Sequence, residues 1–575
     1  MSTSAADASA APPAAGGGVA DSAAEPSTPS RPRWAFLRRY LHGLDHIGLA
    51  LGFVAFLCSL TPSLLPRSWP AQGLIAGLAV TAAYAVGTAV TQVLRWAGVP
   101  PLPPRTSRRI RWIIVAAGGV VVAVALWLGS AWQEDVRRAV GMPPQGRYLY
   151  LGVLVLAAAV FVLLLGIARL VADLYRRTVR LLLRVVPVVA ARLGAAVVVA
   201  VLAVTLINGV LYHALLSAAS SIAARTDAST DAGAAAPSSP LRSGVPGSLV
   251  SWNDLGREGR NFVARGPAVT QMEQLTGRPA QASIRVYAGL RSAPTLQGEA
   301  DLVLAELRRT GAFDRSLLAV ATTTGTGWVD STLADPLEYM YGGDTAIASM
   351  QYSYLPSWIN FITDRAGAQE AGRILFDTIY DYWATLPAAH RPRLVAFGES
   401  LGTFGGTAAF SGVADLTNRT QGDLFAGPPN STDLWHRLTD ARAEGSPERL
   451  PVYGNGTTVR FVGTAADLRT GQGPFSRPSL VFAQHASDPI VWWSPGLILS
   501  EPDWLREPRG PDVVPQMHWY PLVTFWQITW DMAISQSPPA GHGHNYGAEI
   551  PTAWAALLHP PGWTDADTAA LAASR

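Results

Sequence analysis

Five stretches before residue 220, running approximately 45–65, 72–94, 112–131, 149–171 and 194–216, are each about 20 residues long and apolar on every helical face. About 20 such residues cross the hydrocarbon of a bilayer, and a helix that is apolar all round has no face to offer water. The composition therefore predicts an α-helical transmembrane domain of about five spans rather than a water-soluble bundle. A cleavable signal peptide fits poorly, because the first apolar run begins after about 40 residues and further runs follow it.

Every one of the 44 basic residues is an arginine, and their placement is uneven. Arg31, Arg33, Arg38 and Arg39 precede the first span. Arg95, Arg105, Arg108, Arg109 and Arg111 lie between the second and third, and Arg176, Arg177, Arg180, Arg184 and Arg192 between the fourth and fifth. The opposite loops hold only Arg67, Arg137, Arg138 and Arg147, partly offset by Glu134 and Asp135. Cytoplasmic loops carry the basic excess, so the amino terminus is expected inside and, after five spans, the rest of the chain outside. The net charge of +3 is then mostly a topology signal and gives no reason to expect nucleic acid. The single cysteine, Cys58, decides nothing about redox compartment.

The remaining organisation follows from composition. Residues 1–35 are rich in Ala, Ser, Pro and Gly and are expected to be disordered; 36–217 form the membrane domain; 218–246 read as a flexible linker; and 247–575 are long enough for one sizeable core. In that last part strand-like and helix-like runs alternate, as in 283–288, 299–310 and 317–322, which predicts a mostly parallel sheet wrapped by helices. Residues 422–458, rich in Pro, Asn, Asp and Gly, have the look of a cap or lid.

Gly398-Glu-Ser-Leu-Gly402 stands between the strand-like run from Arg393 to Phe397 and a small-residue helix. A strand that turns sharply into a helix leaves no room for side chains two residues either side of the serine, and it pushes the hydroxyl outward. Ser400 is the candidate nucleophile. The arrangement then requires an acid and a histidine, in that chain order. The strand-like 478–484 runs into Asp488, the candidate acid, with Asp467 after 459–463 as its competitor; an Asx-turn before Pro489 is the purely structural alternative. Near the carboxyl end, Gly541-His-Gly-His-Asn-Tyr-Gly547 offers two candidate bases on a glycine loop, His544 preferred and His542 as a loop-fixing alternative. No metal or cofactor is expected, since that pair lacks further ligands at knuckle or helical spacing. Counting strands backward puts the loop from Thr322 to Trp328 opposite the nucleophile, so the oxyanion donors are expected from the amides of Leu401, Thr323, Thr324 and Gly325.

Several motifs together carry a resemblance. Ser59-Leu-Thr-Pro-Ser-Leu-Leu-Pro-Arg67, Ser251-Trp-Asn-Asp-Leu-Gly-Arg-Glu-Gly-Arg260, Gly398–Gly402, Gly427-Pro-Pro-Asn-Ser431 and Gly541–Gly547 make the chain resemble an actinobacterial family of membrane-anchored α/β-hydrolases, a multi-span amino-terminal domain joined to a hydrolase domain. Similar proteins include hydrolases of aminoacylated phosphatidylglycerol. The resemblance implies a serine hydrolase whose partners are membrane lipids, as substrate and anchor. An aminoacyl ammonium would call for acidic or aromatic neighbours, for which Glu399, Glu338 and Asp344 are candidates, while Trp492 and Trp493 are candidates to contact the membrane interface or the acyl chains. A lipase or thioesterase using the same residues, and a non-catalytic membrane scaffold, are the alternatives.

Overall fold

The computed structural model describes residues 43–99, 104–146, 150–469, 475–476 and 479–574, without the side chains of 104–117 and 362. The expected disordered tail, 1–35, and the arginines preceding the first span lie outside the described residues. Residues from His46 onward belong to one unit.

Among the described residues its first part holds five helices: α1 (His46–Ser59), α2 (Trp69–Trp96), α3 (Pro104–Ala139), α4 (Tyr150–Leu182) and α5 (Val188–Ala228). Among the described residues three of them, α2, α4 and α5, are long and apolar enough to cross a membrane. Their outer faces present Leu151, Val155, Leu170 and Val189 at more than two-thirds exposure, a surface suited to lipid rather than water. Five such helices were expected. The first expected span shrinks to the 14 residues of α1, about 21 Å of helix against a hydrocarbon core of ~30 Å. The expected span 112–131 lies inside α3, many of whose side chains are outside the described residues.

α1 stops where it does because the chain after it has another task. Leu60, Leu64 and Leu65 are buried, and the Ser59–Arg67 segment is clamped by α6 (Val523–Ala533), a helix nearly 470 residues away in sequence. Asp531 Oδ2 accepts from the amides of Leu64 (3.0 Å) and Leu65 (3.3 Å). Gln527 Nε2 donates to the carbonyls of Ser59 (3.2 Å) and Thr61 (3.1 Å), and the amide of Arg67 donates to Gln133 Oε1 of α3 at 2.7 Å. The polar backbone of a loop buried at this depth needs such partners, since an unpaired buried amide costs about 1–3 kcal/mol.

The segment read as a flexible linker differs from that expectation. Residues 218–228 continue α5 and include the buried Asp227, which accepts from Gln351 Nε2 at 2.9 Å; beyond them Arg242 bridges Arg285 and Ser243 Oγ donates to Glu306 at 2.9 Å. Short polar residues that look solvent-facing in sequence are here the partners of other buried polar groups.

Among the described residues the sheet has seven parallel strands: β1 (Ile284–Ala288), β2 (Leu317–Thr322), β3 (Thr345–Met350), β4 (Arg393–Glu399), β5 (Asp423–Ala426), β6 (Val459–Val462) and β7 (Leu480–Ala483), in the order β1-β3-β2-β4-β5-β7-β6. Nearly every strand residue is buried, as a parallel sheet covered on both faces requires. β4 is central, with Thr322 of β2 beside Gly398 and Ala426 of β5 beside Glu399, so the carboxyl ends of three strands converge on the turn after β4. β5 corrects the reading of 422–458 as a cap, because its first residues form a core strand. The strand was hidden by Asp423, whose buried carboxyl accepts from the amide of Ala396 (2.6 Å) and the hydroxyl of Thr420 (2.5 Å). Burial pushes that carboxyl up to about 8, so it stays uncharged in the core at neutral pH.

Candidate active site

The turn from β4 into the short helix Leu401–Gly406 holds Ser400 at φ 56°, ψ −121°, one of three non-glycine residues with positive φ among those described. Such a conformation costs on the order of 1–3 kcal/mol and persists only where the surroundings impose it. Here they do. The amide of Ser400 donates to the carbonyl of Ala426 at 3.0 Å, and Thr403 Oγ1 contacts the carbonyls of Gly398 (2.9 Å) and Ala426 (2.6 Å). A Cβ at Gly402 would collide with the carbonyl of Thr322, which is why the spacing of the two glycines matters.

Asp488 follows β7 and is fully buried. Its Oδ1 accepts from the amide of Ile490 at 2.9 Å, the Asx-turn expected as the alternative, while its Oδ2 contacts both His544 Nδ1 and the hydroxyl of Tyr546 at 2.7 Å. One carboxylate thus serves the turn and the histidine together. With Nδ1 donating to Asp488, the other nitrogen of His544 carries the lone pair; it is buried without a hydrogen-bond partner among the described residues and lies 3.5 Å from Glu399 Oε1. Asp467 instead caps its own loop, accepting from the amides of Gly463 (3.0 Å) and Thr464 (2.7 Å).

His542 is not brought to this cluster. It is about a third exposed, its Nδ1 is 3.7 Å from Asp512 Oδ2, and its ring faces Gly141 just past the end of α3. Two residues of separation on a glycine loop bring the two histidines to different carboxylates.

Of the four expected oxyanion donors, two are already engaged. The amide of Thr324 donates to the carbonyl of Trp328 at 3.0 Å, closing the loop on itself, and that of Gly325 to Ser357 Oγ at 3.2 Å. Leu401 and Thr323 occupy the positions directly after Ser400 and directly after β2.

The expected recognition residues separate as well. Trp492 is core: its indole nitrogen donates to the carbonyl of His485 at 3.0 Å and its rings pack on Trp435 and Trp504. Trp493 is half-buried between Phe361 and Phe525, with its nitrogen on Thr529 Oγ1. Glu338 is locked in a two-point ion pair with Arg285 (2.8 and 2.7 Å), and Asp344 is bonded to Ser316. Glu399 alone of the acids stands at the site, and its carboxyl is held well above the usual range, first by burial and then by the neighbouring carboxylates of Asp330 and Asp488. Its protonated form is favoured relative to that of an ordinary glutamate.

Sequence reading passed over His485, Tyr546 and Glu549, which surround the histidine loop from inside. The closeness of His485 to Asp488 along the chain and the place of Tyr546 in the Gly541–Gly547 run were the signals for two of them; Glu549 had none.

Residues 284–571 match the model of a family described as an alpha/beta-hydrolase family, and residues 60–267 match the model described as the N-terminus of that family. No curated protein and no solved structure matches the chain.

Proposed function

Because the chain belongs to an alpha/beta-hydrolase family, we propose that it is a membrane-anchored serine hydrolase that cleaves an ester. The observation that carries this reading is the histidine whose Nδ1 is fixed on a buried carboxylate while its Nε2 stays buried and unpaired near the strained serine turn. His544 Nε2 takes the proton of Ser400 as the oxygen attacks the ester carbonyl; Asp488 stabilises the imidazolium that forms. The amides of Leu401 and Thr323 receive the oxyanion. The imidazolium returns its proton to the leaving alcohol, and water, activated by the same nitrogen, releases the acid from the serine. Burial and the neighbouring carboxylates disfavour a charge on Glu399, which lessens its hold on the imidazolium.

The finer reading, supported by the sequence resemblance, takes an aminoacylated phosphatidylglycerol as substrate, with a lipase or thioesterase activity on another envelope ester as the alternative. Purified full-length protein in nanodiscs containing such a lipid is expected to release the free amino acid and leave the phospholipid. It should discriminate against the N-acetylated lipid by about 1.5–3 kcal/mol, the worth of one charged hydrogen bond. Release of fatty acid, or indifference to acetylation, would favour the alternative.

The arginine distribution supports a cytoplasmic amino terminus and an odd number of crossings, α2, α4 and α5 among them, which leaves the sheet region outside. Glu444 lies on an exposed loop of that region. A Glu444→Cys variant in a Cys58→Ser background is expected to react with a membrane-impermeant maleimide on intact cells. Reaction only after permeabilisation would reverse the topology.

A further inference from the structure

The loop that carries His544 is gripped from behind by a second histidine and a second carboxylate. His485, at the end of the β7 turn, is fully buried; its Nδ1 lies 2.8 Å from the carbonyl of Gly543 and its Nε2 3.2 Å from Glu549 Oε1. Glu549 Oε1 also accepts from the amide of Gly547 at 2.6 Å. The pair therefore holds the carbonyl on one side of His544 and the amide on the other. The amide of Gly543 donates to Ser487 Oγ at 2.8 Å, and that hydroxyl is bonded to Asp512. The ring of His485 stacks on Tyr546 at 4.4 Å, and the Tyr546 hydroxyl reaches the same Asp488 oxygen as His544.

Both partners of the His485 ring are acceptors, a carbonyl and a carboxylate. A neutral imidazole has one N–H and would leave one of these contacts as lone pair against lone pair, at a cost of about 1–3 kcal/mol for the orphaned group. Two donors are satisfied only by the imidazolium, and its buried charge is balanced by Glu549.

We propose that His485 and Glu549 form an ionised clasp that positions the base, so that turnover depends on the charge of a pair that does not touch substrate. The inference rests on His544 being the base. Burial by itself would drive the His485 imidazolium to lower pKa; the bond and charge of Glu549, the Gly543 carbonyl and the charge of Asp512 outweigh it and bring the ring to about 8. Glu549, raised by burial, is lowered further by His485 and by the Gly547 amide. The groups facing His485 are thus Glu549 from the following helix, Asp512 from the loop behind, and Tyr546 from the histidine loop, with Asp488 on its own segment. Since the folded ring titrates above its ordinary 6.5, the clasp is complete below about 6.5 and is lost as pH rises through about 8.

The test uses the full chain in detergent, with a fluorophosphonate as probe and hydrogen exchange of the segments 541–549 and 393–399 read in parallel. In Glu549→Ala the maximal labelling rate should fall about 100-fold with little change in the half-saturating probe concentration, because the base is displaced while the site remains. Exchange should rise across 541–549 and stay unchanged in 393–399. Glu549→Gln keeps an acceptor but removes the charge, so its alkaline limb should move down by about one to three pH units, while Glu549→Asp, which keeps the charge, should restore the wild-type limb. An unchanged limb in Glu549→Gln, or equal loss of protection in both segments of Glu549→Ala, overturns the proposal. A wild type that takes no label removes the hydrolase reading instead, and unchanged exchange over 541–549 in Glu549→Ala then overturns the clasp independently.

Discussion

Ser400→Ala is expected to lose fluorophosphonate labelling and to reduce ester turnover by about 10⁶-fold, and His544→Ala should cost nearly as much, because members of such a relay act as a unit. Asp488→Asn should cost about 10⁴-fold: it leaves the geometry in place but donates to His544 Nδ1 where a carboxylate accepted, which favours the wrong tautomer. His542→Ala, whose ring looks toward Asp512 and Gly141, should remain close to wild type. Turnover and labelling rates of the four purified variants decide the assignment. A dead His542→Ala beside an active His544→Ala would transfer the role of base to the other histidine, and retained labelling of Ser400→Ala would remove the nucleophile.

The second large effect is expected from a residue with no chemistry of its own. Gly427, at the end of β5, has φ +54°, and a Cβ placed on it would run into Cε1 and Nδ1 of the His544 ring. Gly427→Ala therefore presses on the very nitrogen that Asp488 holds. A displacement of about 1 Å at a catalytic group is enough to cost on the order of 10²-fold, so kcat should fall by about that much with KM little changed. The positive φ adds a strain of about 1–2 kcal/mol for a residue bearing Cβ. Gly445 has φ +80° but open space around its Cα, so Gly445→Ala shares the strain without the collision and serves as the control. Equal activities for the two variants would show that Gly427 matters for backbone conformation alone. The effect also gives a physical reason for the glycine of the Gly427–Ser431 motif, which sequence reading noted without one.

What the chain determined by itself are the features set by near neighbours along it. The strand-turn-helix context of Ser400 is a constraint over about ten residues, and the structure holds that serine in the strained turn the glycine spacing called for. The run Leu317–Thr322 is apolar at every position but the last because both faces of its strand are covered, and it coincides with β2 residue for residue. Continuous apolar composition likewise marked α2, α4 and α5, since lipid makes the same demand at each turn.

Tertiary structure decided whatever depends on partners far apart in sequence. Which histidine meets Asp488 is settled across 56 residues, by the pinning of Gly543 and Gly547 rather than by anything in the Gly-His-Gly-His run. Trp492 and Trp493 are adjacent and chemically identical, yet one faces the core and the other Phe361 and Phe525. The short first helix and the buried Ser59–Arg67 loop depend on Asp531 and Gln527, and the supposed linker depends on Glu306 and Gln351. In each case a polar group was legible as a residue type, but whether it faces water, a backbone amide or the His544 ring is fixed only when the far partner arrives, because a buried polar group is tolerated solely where something completes its hydrogen bonds.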